Sequence, residues 1–141
     1  GPLDGAGKRS IYLAIRRNFL NPFLAVFDCP IPAATFGARN QSNVPAQALA
    51  LLNDPFVHDE AKFWADSLLK TPATKDERIN RIYQQALSRN ATAEELSAWR
   101  SFQQKQAELL GVSSTSAEDD PRIWLDTCHL MFNSKEFLFV E

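Results

Sequence analysis

Apolar residues recur at helical spacing along most of the chain, and short polar or proline-containing breaks separate the stripes. The clearest stripe contains five residues at i, i+4, i+7, i+8 and i+11: Val57, Ala61, Trp64, Ala65 and Leu68. This spacing places them on one face of an α-helix, with charged residues on the rest of its surface. The stripe predicts a helix that Asp54-Pro55 begins and Thr71-Pro72 ends.

Two later helices begin with the same local signal, a Thr followed three residues later by a Glu. In such a capping box, the Thr hydroxyl and the Glu carboxylate satisfy free backbone amides at the helix start. Thr74 with Glu77 and Thr92 with Glu95 therefore predict two helix starts, and Gly111 marks the end of the second helix. The connection at 89–91 is short, so we expect an antiparallel helical hairpin.

Three further helices follow from proline and capping residues. Asn21-Pro22 opens a short helix ending at Asp28, and a helix with Pro45 in its first turn runs to Asn53. The third starts at Asp120-Pro121 and is apolar almost all round, so it should be the central helix. Before it, the Ser-rich and acidic stretch 112–119 predicts a mobile loop.

Two segments show strand character instead. Between positions 11 and 17, Ile11, Leu13 and Ile15 alternate with other residues, as in a half-buried strand, although a short helix is also compatible with so short a run. The apolar tail at 137–140 could supply the partner strand. We therefore predict a mainly α fold: a compact bundle of five to six helices with a short two-stranded β pairing of the N- and C-terminal segments.

The organisation predicted from the sequence is one domain. Gly1-Pro2 looks like the remnant of a removed expression tag, and residues 1–9 as a whole are Gly-rich and polar, which predicts a flexible lead-in. Residues 10–141 would then form a single helical domain, expected to be the C-terminal portion of a larger domain. Its 141 residues with 45% hydrophobic content are enough to build one core.

Charge and hydropathy exclude two classes of partner. With 15 basic and 17 acidic residues the formal net charge is -2, which disfavours nucleic-acid binding because that requires clustered cations. No apolar run approaches the roughly 20 residues of a membrane helix, so we expect no membrane insertion.

The spacing of the cysteines and histidines matches no metal-binding or haem-binding motif. Cys29 and Cys128 are too few for a thiolate metal site, and two free thiols are favoured over one disulfide. Cys128-His129 lacks the second thiol of a covalent haem motif, and His58 has no ligand-type residue at i+3 or i+4. We therefore predict no metal site and no cofactor in this chain, and the catalytic residues, if any, are unknown.

A polar cluster in the irregular stretch 28–43 is the one candidate binding site. An Arg fork and several amides could hold an anion or a sugar hydroxyl, although the same residue types often cap helices and satisfy loop backbone. The candidate residues are Asp28, Arg39, Asn40, Gln41 and Asn43.

Several blocks of the sequence resemble one known family. The blocks are Arg9–Leu13, Arg16–Asn18, Phe27-Asp28, Pro45–Val57, Arg81–Arg89 and Asn133–Leu138. In order and spacing they are similar to the C-terminal part of domain-of-unknown-function family 1553, a family of large secreted or periplasmic proteins of planctomycetes. Many of these proteins carry a cytochrome-c-like domain upstream, so any haem c would belong to that domain.

The resemblance implies a periplasmic or extracellular setting and carries no catalytic residue with it. It favours a non-catalytic accessory or interaction module of a large cytochrome-c-type protein, whose partners are the upstream domains of its own polypeptide. The alternative is a carbohydrate-binding or polysaccharide-processing enzyme domain that uses the polar stretch 28–43.

Overall fold

Helices make up the regular structure of this chain in a computed structural model that describes residues 10–12, 21–30, 37, 45–113 and 115–139. Over these ranges there are seven α-helices, two 3-10 helices and no strand. The α-helices are α1 (Pro22–Val26), α2 (Pro45–Asn53), α3 (Pro55–Leu69), α4 (Lys75–Leu87), α5 (Ala93–Leu110), α6 (Pro121–Phe132) and α7 (Lys135–Leu138). The 3-10 helices are Ser10–Tyr12 and Ser116–Glu118. The mainly helical prediction is confirmed over the described residues.

The chain divides into two compact units, Gly1–Phe56 and Val57–Glu141. In the first unit, the Asn21 side chain accepts hydrogen bonds from the amides of Phe23 and Leu24 and so caps α1. The Phe23 ring lies 5.7 Å from the ring of Phe56. Gln47 on α2 donates to the carbonyl of Val26 over 3.1 Å, which ties α2 to the end of α1.

The core of the second unit is formed by α3, α4 and α6. Its buried members are Ala61, Ala65, Leu68, Ile79, Ile82, Tyr83, Trp124, Cys128 and Met131. The α3 members belong to the predicted apolar stripe, although Trp64 is only half-buried. Helix α6 packs against α4, α5 and α7, and α4 packs against α5, α6 and α7, so these two helices share the centre of the unit.

Helices α4 and α5 form the predicted hairpin. Both capping boxes are present: the Thr74 and Thr92 side chains accept from the N3 amides, and the N3 glutamates accept in return. Gly111 ends α5 with a φ of 65°, a left-handed conformation that glycine adopts without strain. Between the helices, Trp99 Nε1 donates to the Tyr83 hydroxyl over 3.0 Å.

The stretch predicted to be a mobile loop contains the 3-10 helix Ser116–Glu118 and is anchored to the core. Ala117 is buried, and the carbonyl of Glu118 accepts hydrogen bonds from Trp124 Nε1 and from Arg78 Nη1. The Arg78 side chain is itself buried, stacks on the Trp124 ring and pairs with Asp119 over 2.7 Å. Composition could not predict this anchoring, because Arg78 lies 40 positions before Glu118 in the sequence.

Arg89, at the connection between α4 and α5, forms the centre of a second polar cluster. Its guanidinium donates to both carboxylate oxygens of Glu95 and to both of Glu136, and its central carbon lies 4.9 Å from the centre of the Tyr83 ring. We call Tyr83, Arg89, Glu95 and Glu136 the Arg89 cluster. It joins α7 to the hairpin of α4 and α5.

The predicted β pairing is wrong wherever the structure describes it. Ile11 and Tyr12 belong to a 3-10 helix, and Phe137 and Leu138 complete α7. The Ser134 side chain caps α7 by accepting from the amide of Phe137, so a helical turn satisfies backbone groups that a strand would have left to a partner. Only Phe139 has extended backbone there. Positions 13–17 and 140 lie outside the described residues.

No helix among the described residues is long and apolar enough to cross a membrane.

A candidate binding groove

One face of α3 carries the residues that begin the candidate site. Glu60, Phe63, Trp64 and Ser67 lie at i, i+3, i+4 and i+7, so they project from the same side of the helix. This side overlaps the apolar stripe of α3 at Trp64. Phe63 is 70% exposed, although it is one of the largest apolar side chains on the helix.

Three other helices complete the site. Gln85 and Ala86 come from α4, Phe132 from the end of α6 and Phe137 from α7. Together with the α3 face they line an open cavity of about 410 Å³. We call this site the aromatic groove. Its volume lies within the range of small ligand pockets and also suits one or two large side chains of a protein partner.

Three of the four aromatic rings that line the groove contact one another in a row. The ring centres of Trp64 and Phe132 are 5.3 Å apart, and those of Phe132 and Phe137 are also 5.3 Å apart. Trp64 Nε1 donates to Gln85 Oε1, which fixes the indole and satisfies its single polar atom. The result is a continuous apolar wall rather than a cage, because rings in contact leave no space between them.

The polar content of the groove is small. Glu60 is its only charged residue among the described lining residues, and no basic residue lines it. Glu60 is exposed and makes no hydrogen bond or ion pair with any residue in the described part of the chain. The groove can therefore offer a partner apolar contact area and one unpaired negative charge.

A second cluster in the same unit brings the two histidines together. The imidazole centres of His58 on α3 and His129 on α6 are 6.2 Å apart, with the rings nearly perpendicular. Burial raises the pKa of the half-buried Asp126 carboxyl, and the two nearby histidines oppose that rise. Among the described residues, no group of three or more His, Cys, Asp or Glu side chains is arranged to hold a metal ion.

The binding site predicted in the stretch 28–43 is described only at Asp28. This residue follows α1 with a φ of 57°, in the left-handed region, and its amide donates to the carbonyl of Ala25. Arg39, Asn40, Gln41 and Asn43 lie outside the described residues, so the predicted site stays a prediction. Asp54 is confirmed as a helix cap, because its carboxylate accepts from the amide of Phe56 over 2.9 Å.

Both cysteines are free thiols in the structure. Cys128 is fully buried on α6, and this burial raises the pKa of its thiol to about 12. A thiol with such a pKa stays protonated at neutral pH, so Cys128 is a packing residue and not a nucleophile.

Neither the aromatic groove nor the histidine pair was predicted from the sequence. The spacing of Glu60, Phe63, Trp64 and Ser67 was a readable signal for a second face on α3. Its other wall comes from α4, α6 and α7, whose positions relative to α3 no local pattern encodes. The same holds for the histidines, which are 71 positions apart.

Comparison with known proteins gives one match. No curated protein and no solved structure matches the chain. The family described as PSD1, protein of unknown function (DUF1553), matches residues 3–103. The matched part ends within α5, so the block Asn133–Leu138 that contributed to the resemblance lies beyond it. Because the match covers more than half of the 141 residues, the chain belongs to this DUF1553 family.

Proposed function

We propose that this chain is a non-catalytic accessory or interaction module of a large secreted or periplasmic planctomycetal protein of cytochrome-c type. In this proposal the module binds upstream domains of its own polypeptide, and any haem c belongs to one of those domains. The aromatic groove is the observation that carries the proposal. The periplasmic or extracellular location and the upstream haem rest on the resemblance to the family.

The groove has the composition of a protein-binding surface. Phe63 and Phe137 are exposed at its rim, and Trp64 and Phe132 form its wall. Aromatic residues are enriched in the central part of protein interfaces, where they become fully buried in the complex. An exposed cluster of large apolar side chains marks such a site more often than scattered single residues do.

The chemistry of the groove favours binding over bond making. Its rings offer contact area, and the indole nitrogen of Trp64 is already occupied by Gln85. Catalysis by a side chain needs a proton donor, base or nucleophile held against the substrate by neighbouring groups. Glu60 is exposed, and no described residue holds it in one orientation.

Hydrogen exchange in the full-length parent protein tests the proposal. We expect the backbone amides of 60–67 to exchange more slowly in the parent than in the isolated chain, because a docked domain suppresses local opening of α3. Phe63→Ser in the parent should return exchange to the level of the isolated chain.

Leu109→Ser is the matched control. Leu109 is 81% exposed on α5 and does not line the groove, so its loss should leave exchange at 60–67 unchanged. Equal exchange of 60–67 in the parent and the isolated chain would refute docking at the groove. Glycan binding by the chain that Arg39→Ala abolishes would instead favour the carbohydrate-binding alternative.

A further inference from the structure

We propose that the segment that binds in the aromatic groove is apolar and carries an arginine side chain, which pairs with Glu60. This inference rests on the proposed docking function and specifies the chemistry of the partner segment. It starts from Glu60, the one charged residue among the described lining residues, which has no hydrogen bond or ion pair with the rest of the described chain.

Glu60 differs from the paired glutamates of this unit by having no partner among the described residues, and from unpaired acids such as Asp66 by lining the groove. Glu77 and Glu95 accept hydrogen bonds in capping boxes, and Glu95 also pairs with Arg89. Glu60 has no such contact with the described residues, although it lines the groove beside aromatic rings. A partner that covers the groove would remove water from this carboxylate, which is unfavourable unless the partner supplies a cation or donors.

The position of Glu60 sets the arrangement of the partner segment. Glu60 lies one turn before Trp64 on the same face of α3, and Trp64 begins the row of rings that continues to Phe132 and Phe137. The helical rise makes that separation along the axis about 6 Å. We therefore place the cation of the partner about one helical turn, or two residues of a strand, from its apolar anchor.

Arginine fits this position better than lysine. Its planar guanidinium can donate two parallel hydrogen bonds to a carboxylate and can also stack on an aromatic ring. Glu60 and Phe63 are three positions apart on α3, so one guanidinium can reach both. Lysine would supply the charge without the planar contact.

Charge variants in the full-length parent protein test this chemistry through the same hydrogen exchange at 60–67. At low ionic strength, we expect Glu60→Gln to reduce the protection of these amides about fivefold. Glu60→Lys should reduce it further, because a like charge then opposes the arginine. Added salt should weaken protection in the wild type and have little effect in Glu60→Gln.

Asp66→Asn is the control, because Asp66 is an exposed acid on the same helix that does not line the groove. It should leave protection unchanged. If Phe63→Ser removes protection but Glu60→Gln and Glu60→Lys do not, the arginine is refuted and docking stands. If the groove of the wild-type parent shows no protection at all, both proposals fall together.

Discussion

The Arg89 cluster and the aromatic groove belong to the same unit, but the charged groups of the cluster are paired within the chain and the charged group of the groove is not. In the Arg89 cluster, the guanidinium meets two carboxylates and an aromatic ring, all supplied by this chain. In the groove, the rings of Trp64, Phe132 and Phe137 contact one another, Phe63 is 70% exposed, and Glu60 has no hydrogen bond or ion pair with a described residue. A satisfied cluster stabilises the fold, whereas an unsatisfied one is available to a partner.

Aromatic residues thus stabilise the fold where they contact partners within the chain, and are available for binding where they are exposed. Tyr83 and Trp99 are aromatic residues whose polar atoms bond to each other within the hairpin. Phe63 and Phe137 are aromatic residues whose surface stays open. We therefore expect substitutions in the Arg89 cluster to change stability, and substitutions in the groove to change binding.

The largest effect should come from breaking the Arg89 cluster. Arg89→Ala removes charge-assisted hydrogen bonds to Glu95 and Glu136, and we expect the free energy of unfolding to fall by about 2 kcal/mol after allowance for screening at this partly exposed site. The midpoint of urea unfolding measures the change. Arg100→Ala is the control, because its pair with Asp76 is exposed and joins only two side chains. Equal losses for both variants would show that the cluster contributes no more than an ordinary surface pair.

A smaller effect should appear in the pH dependence of stability. Hydrogen bonds from Arg89 lower the pKa of Glu95 from 4.5 to about 2. A lowered pKa means that Glu95 stabilises the fold fully above about pH 4.5 and that this contribution is lost as the pH falls through about 2. We expect the difference in unfolding free energy between the wild type and Glu95→Gln to shrink over that window. A difference that stays constant from neutral to acidic pH would contradict the assignment.

The smallest effect on stability should come from the groove. Phe63→Ser should change the free energy of unfolding of the isolated chain by less than about 0.5 kcal/mol, because the side chain is mostly in water already. Thermal or urea unfolding measures it. A loss as large as that of Arg89→Ala would mean that Phe63 stabilises the fold, and the contrast between the two regions would disappear.

Local signals in the sequence were sufficient for the helices that begin with a side-chain cap. Thr74 and Thr92 contact residues only three positions away, so the capping boxes could be predicted without knowledge of the fold. Pro55 and Pro121 likewise begin α3 and α6 as expected. These signals fix where helices start and which face is apolar.

The C-terminal tail shows where local signals fail. Phe137 and Leu138 are apolar neighbours with no period long enough to separate a strand from a helical turn. The segment is helical because Ser134 caps α7. Glu136 on α7 accepts a hydrogen bond from Arg89, which lies 47 positions earlier in the chain. The groove depends on the same kind of distant contact, since Phe137 reaches it only because α7 folds back beside α4.

The buried thiol of Cys128 can report the opening of the core of this unit. Alkylating reagents attack thiolates, and this thiol is both protonated and enclosed by side chains of α3, α4 and α6. It can therefore react only when those helices separate. Where the core recloses faster than a thiol reagent reacts, the rate of modification at position 128 consequently reports the population of the open core in native conditions.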